Sequence, residues 1–155
     1  TCLGLLPFLA SELLIMFPVQ GLSAALVYQL VSYYAAVILS FLAGSHWGLQ
    51  LQRNDSQLNG LFFFSNMMAL LAWGALMAGI PSRFVLFLLG FLIQLVIDIK
   101  LNKMNIHPAW YRNLRLYVTL TVVVCLLYHI CILLFYIFYQ LQCKFLRQLD
   151  DGVRP

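Results

Sequence analysis

The chain reads as long apolar runs parted by short polar breaks. A helix needs about 20 mostly apolar residues, at 1.5 Å each, to cross the hydrocarbon of a bilayer. Five runs approach or meet that length. The first, about 3–17, is short, and its Pro7 sits where an early helical turn tolerates proline. Pro18 and Gly21 punctuate a tight turn. The second run, 22–51, is long enough to cross with tilt. The polar string Gln52-Arg53-Asn54-Asp55-Ser56-Gln57 forms a loop, a third run covers 60–80, and Pro81-Ser82-Arg83 closes a short hairpin. A fourth run, 84–99, leads into a longer connection, 100–115, that carries most of the loop charge. The fifth predicts a helix over about 116–142 that continues amphipathically past Lys144 and Arg147 to a short polar tail.

Short connections make successive helices antiparallel neighbours, so the pattern predicts an all-α polytopic membrane protein. Its architecture is an antiparallel bundle of about five transmembrane helices, one domain over residues 1–155. No stretch remains for a soluble domain. No internal repeat supports an inverted-repeat transporter fold.

Composition strengthens this reading. Hydrophobic residues make up 63% and charged residues 9% of the chain, against roughly 45–50% and about 25% in soluble domains. So few charges could not cover a water-soluble surface. The nine Lys and Arg, which leave a net charge of +4, are scattered at the ends of apolar runs, where headgroups hold them. A nucleic-acid footprint would cluster them on one folded face. Counting them by membrane side gives five against four, which leaves the orientation open. Cys2, Cys125, Cys131 and Cys143 lack metal or redox spacing. A chain that starts at Thr1 is expected to be a processed or shortened product.

Candidate chemistry is sparse. Ser32, Ala36, Ser40, Gly44 and Gly48 recur every four residues and end in a GxxxG unit, the small-residue pattern that lets helix backbones approach closely in lipid. The partner is another helix of this chain or of another subunit. Counting outward from the turns places His46, Ser65, Asn66 and Asp98 at one interfacial level, with His107, Arg112 and Arg115 on the same side. Asp98 needs a cationic partner there, because a carboxylate beside hydrocarbon is costly alone. The layer either locks the end of the bundle or forms a polar binding site. Arg112 and Arg115 follow Pro108 with helical spacing, so 108–115 is expected to open a helix near the interface that turns into the fifth segment. Trp47, Trp110 and Tyr111 belong at the headgroup level as interfacial anchors.

Glu12 lies inside the first segment, where an ionised carboxylate costs several kcal/mol unless paired or protonated. Hairpin counting sets it level with Tyr28 and Gln29, and an intramembrane acid is a candidate functional group. His129 sits mid-segment, about 20 Å from the face where His46 lies roughly 8 Å deep. A bis-histidine haem within this chain alone is therefore not expected, and a hydrogen-bonded core histidine is. GxSxG, HExxH, phosphate-loop and dinucleotide motifs are absent. The residues thus name no catalytic group, metal ligand or cofactor.

Two strings carry a resemblance. Ala36-Val37-Ile38-Leu39-Ser40-Phe41-Leu42-Ala43-Gly44-Ser45-His46-Trp47-Gly48-Leu49 and Pro108-Ala109-Trp110-Tyr111-Arg112-Asn113-Leu114-Arg115-Leu116 resemble signatures of the transmembrane protein 69-like family of small bacterial and mitochondrial membrane proteins. The order matches as well: a Leu3-Gly4-Leu5-Leu6-Pro7-Phe8 start, then Leu89-Gly90-Phe91 and Asp98 between the signatures. The resemblance implies a multi-pass fold and, for a eukaryotic member, the mitochondrial inner membrane. It supplies no catalytic residue, and Glu12 is not part of it.

Two functions compete. The first is a non-enzymatic accessory or assembly subunit, contacting lipid and other membrane subunits of a larger complex such as one of the respiratory chain. The second is a small-solute or ion carrier or channel using Glu12 or the His46–Asp98 layer. Neither involves nucleic acid or an evident soluble substrate.

Overall fold

The computed structural model describes residues 2–17, 21–53, 60–103 and 109–153. Local chemistry marks the helix starts. Residues Cys2–Leu5 make a 3-10 turn that leads into α1 (Leu6–Met16), whose Pro7 lies in the first turn, where no amide donor is needed. Gly21 takes a positive φ of 92°, a conformation that disfavours any side chain. The Ser23 hydroxyl then accepts the Leu26 amide at 3.3 Å and caps the start of α2 (Ala24–Arg53).

Several boundaries differ from the sequence expectation. The third helix, α3, spans Gly60–Met77, and α4 (Ile80–Lys103) already contains Pro81-Ser82-Arg83. Proline is tolerated in a first turn, so the hairpin is closed by Ala78 and Gly79 alone. Arg83 seals it. Its Nε donates to the Ala78 carbonyl at 3.2 Å and its Nη2 to those of Leu76 and Ala78, both at 3.0 Å. A cation thereby satisfies the orphan carbonyls at the end of α3. The last helix, α5, is one unbroken element, Ala109–Val153, of 45 residues. The expected interfacial helix and turn before Leu116, and most of the polar tail, are helical continuations instead. Neither proline nor glycine occurs from Ala109 to Asp151 to interrupt them.

Among the described residues, four helices are long and apolar enough to cross a membrane. The 11-residue α1 reaches only about 16 Å, roughly half the hydrocarbon thickness. α2 packs against α1, α3 and α4; α4 packs against α3 and α5; α1 closes the bundle by touching both α2 and α5. The core is aromatic on α4 and small on its neighbours: Phe84, Phe87 and Phe91 are fully buried, faced by Ala35, Ala72 and Ala75. Gly90 marks the closest approach, since a Cβ there would lie 2.6 Å from Leu39 Cδ2 and 3.2 Å from Leu71 Cδ2.

α4 and α5 run antiparallel, with Asp98 bonded to Arg115 at one level and Phe84 stacked on His129 at another. The start of α4 at Ile80 is therefore level with about residue 133 of α5. Beyond that point α5 continues for some 20 residues, about 30 Å.

Two buried histidine centres as candidate functional sites

The first centre joins α2, α4 and α5. His46, buried on the inner face of α2, sets Nε2 at 2.7 Å from Asp98 Oδ1, and its Nδ1 lies 3.1 Å from Gln94 Nε2. Gln94 and Asp98 are one turn apart on α4, so both face the same ring. With the Gln94 amide donating to Nδ1, the imidazole proton resides on Nε2 and is donated to Asp98. Arg115 completes the carboxylate from α5: Nε donates to Oδ2 at 2.9 Å and Nη2 to Oδ1 at 3.4 Å. The same Nη2 reaches Ser45 Oγ at 3.2 Å and the Leu42 carbonyl at 3.5 Å. This is a charge-assisted, forked pair in a buried setting.

Beside the layer is a cavity of about 290 Å³, bounded by Asp98, Asn102, Asn113 and Arg115 and by the aliphatic Leu95, Ile99 and Leu116. Ser65 Oγ, the nearest hydroxyl expected in the layer, donates to the Ala43 carbonyl at 2.7 Å and so joins α3 to α2.

The second centre ties α1 to α5. His129 Nδ1 lies 2.8 Å from the Cys125 carbonyl and 3.0 Å from Glu12 Oε1, while Nε2 lies 3.4 Å from Ser11 Oγ. Phe84 stacks on the ring at a centroid distance of 5.3 Å and Tyr28 meets it edge-on at 5.7 Å. Ser11, His129 and Glu12 stand in the order of a hydrolytic triad, but the hydroxyl proton is committed elsewhere. Ser11 Oγ donates to the Phe8 carbonyl at 2.6 Å and is 5% exposed. With that proton engaged, the Ser11 oxygen can only accept from Nε2, while Nδ1 faces the Cys125 carbonyl and Glu12. The arrangement fastens α1 to α5 rather than activating a nucleophile. The Glu12 oxygens, though shielded from solvent, accept no well-angled hydrogen bond among the described residues.

Several expectations are corrected here. Glu12 pairs with His129; Gln29 instead donates to the Tyr33 hydroxyl at 2.7 Å, and Tyr28 contributes its ring to His129. Asn66 points outward, because it is turned 100° from Ser65 on the same helix. The small-residue stripe does not stay on one face. A four-residue spacing drifts about 40° per step on a 3.6-residue helix, so Ser32 and Gly48 point roughly 160° apart. Ser32 and Ala36 are buried inside the bundle, Ser40 is intermediate, and Gly44 and Gly48 are exposed, with no atom within 4 Å of an added Cβ. Trp47 is exposed and meets Phe62 edge-on at 5.3 Å. The side chains of Trp110, Tyr111 and Arg112, and all of His107, lie outside the described residues. Gln94, Ser45 and Ser11 are additions to the site. Gln94 had a signal, an amide exactly one turn before a buried acid in an otherwise apolar run. Among the described residues no group of three or more His, Cys, Asp or Glu could hold a metal ion.

Comparison with known proteins gives two matches. A family described as "Protein of unknown function (DUF3429)" matches residues 1–131. "Transmembrane protein 69" of Xenopus tropicalis is 34% identical over 124 residues, covering 77% of this chain and 47% of the relative. The chain thus spans about half the length of the curated relative it matches. No solved structure matches. With four apolar helices of spanning length and this relative, the chain is an integral, multi-pass membrane protein.

Proposed function

The chain belongs to the DUF3429 family, and on that premise we propose that it is a non-enzymatic accessory or assembly subunit packed against a larger complex. Its place is the mitochondrial inner membrane, with a respiratory-chain complex as host. One observation carries the docking: the Gly44–Gly48 end of the stripe is left open by the chain's own helices. In lipid, helices associate through close backbone contact, and an exposed GxxxG groove is where a foreign helix can come nearest. The mitochondrial location rests on the family resemblance alone.

The carrier reading needs a polar route between the two histidine centres. They stand about 21 Å apart along α4, the rise from Phe84 to Asp98. Leu39, Phe87, Phe91, Val122 and Leu126, all buried to within 1% of full, pack the interval. The subunit reading is therefore preferred.

Native-gel migration of the full protein, extracted from its membrane in mild detergent, tests the proposal. Co-migration with a large complex is expected, and Gly44→Leu should shift the protein to a small species while its own melting is unchanged, because that side chain meets only the partner. A small species for the parent protein would overturn the subunit reading.

A further inference from the structure

Among the described residues, none covers the far half of α5. From Leu134 to Gln148 every residue is exposed, including Leu134 at 56%, Phe138 at 62% and Phe145 at 62%. Lipid alone cannot account for this surface. The apolar part of α5, Asn113–Gln148, has 36 residues, about 54 Å of helix, against 18 residues and about 27 Å for α3 in the same bundle. Even a tilt of about 40° would leave some 41 Å, well beyond the roughly 30 Å of hydrocarbon. When α3 spans, Leu141 and Phe145 stand outside the hydrocarbon.

The uncovered residues are patterned. Cys131, Leu134, Phe138, Leu141 and Phe145 follow one another at alternating steps of three and four, and the same alternation runs back along exposed positions to Tyr117. That is the seam of a coiled coil, kept for four heptads. In the spanning half any stripe would be apolar. In the overhang the polar Gln140, Lys144 and Arg147 all lie off the seam, as do the apolar Phe135, Tyr139 and Leu146, and Gln140 Nε2 donates to the Tyr136 hydroxyl at 3.1 Å. A shallow groove already runs along Cys131, Leu134, Phe138 and Leu141.

We infer that this seam is covered by α5 of a second copy of the chain, in a parallel, in-register pair. The occupant must be a helix that leaves the membrane on the same side, overhangs by the same length and repeats apolar residues every 3.5 positions. A copy inserted in the same orientation has all three properties by symmetry. Because Lys144 and Arg147 lie off the seam, pairing brings no like charges face to face. The inference goes beyond the docking groove on α2, which lies on a different helix and stays open to another subunit.

The two exposed cysteines of α5 supply the test. In a parallel register Cys131 occupies a core position and meets its own copy, whereas Cys143 lies on the outer side. The full protein, in its own membranes, is oxidised with copper phenanthroline and run without reductant, with Cys131→Ser and with Cys143→Ser. A band at twice the monomer mass is expected for the parent and for Cys143→Ser, and is lost in Cys131→Ser. Phe138→Glu, placed in the overhang so that the packed bundle is untouched, should weaken the band by roughly tenfold or more. Linking through Cys143 as readily as through Cys131 would overturn the register. Failure of both disulfide and bismaleimide linking at Cys131 would overturn the pairing, and it would leave the native-gel result for the α2 groove unaffected.

Discussion

The His46 and His129 centres both set an imidazole against a carboxylate, at 2.7 Å and 3.0 Å. Their surroundings differ in kind. Asp98 is gripped from two helices by His46 and by two nitrogens of Arg115, and its side chain is 5% exposed. Glu12 faces His129 at 3.0 Å and accepts no well-angled hydrogen bond among the described residues. The first is a network across three helices, in which the Gln94 Oε1 accepts no hydrogen bond among the described residues. The second is a single ion pair near the edge of a short helix. Distance between charges alone would rank them alike; the count of satisfied lone pairs separates them.

The largest effect is therefore expected at Asp98. Replacing it with leucine removes the carboxylate that two nitrogens of Arg115 contact and the acceptor of His46. Breaking a buried pair from one side costs about 3–5 kcal/mol. Thermal unfolding in detergent should show Asp98→Leu as the least stable single variant of either centre. A melting temperature within error of the parent would mean that water or lipid already solvates Arg115.

A second variant addresses the packing that keeps the centres apart. Gly90→Ala puts a Cβ 2.6 Å from Leu39 Cδ2, so Leu39 must swing away or α4 must move out. Overpacking of this kind costs roughly 1–3 kcal/mol. Because Leu39 is a fully buried part of the core between the centres, the cost should appear as a lower melting temperature with both ion pairs retained. If Gly90→Ala melts like the parent, the helices approach less closely than this core requires.

The two centres also differ in how far the sequence discloses them. Depth along neighbouring antiparallel helices can be counted from the turns. That count set His46 and Asp98 at one level, with Arg115 on the same side. Angle around a helix is less accessible: Ser65 and Asn66 share a level but face opposite environments, and the regular stripe on α2 winds from the core to the outside because four residues exceed one turn. The Glu12–His129 pair is hidden for another reason. α1 and α5 are the first and last helices, and no hairpin relates their levels; only closure of the bundle brings them together. The family strings lie mainly on the first centre, where His46, Asp98 and Arg115 all fall within or between them. The second centre has no such guide, and Glu12 met the eye only as a charge out of place.

The smallest effect is expected at Glu12, and it most sharply divides the functional readings. Glu12→Gln keeps the size and the acceptor oxygen facing His129 Nδ1 but removes the charge. His129 still has the Cys125 carbonyl at 2.8 Å, so its ring stays held, and the glutamine amide keeps a polar group facing it. The change in stability should be about 1 kcal/mol, the size of one hydrogen bond. Hydrogen exchange should localise it to the amides of α1, the only helix the pair fastens to α5, and leave those around His46 as slow as before. For a subunit, assembly into the larger complex then persists. For a carrier that loads its solute at Glu12, the same variant would retain its fold and its melting temperature while transport by the reconstituted protein disappears. Measuring melting, exchange and flux on one preparation thus separates a fastening from a binding group. A loss of stability at Glu12→Gln as large as that of Asp98→Leu would erase the contrast between the two centres.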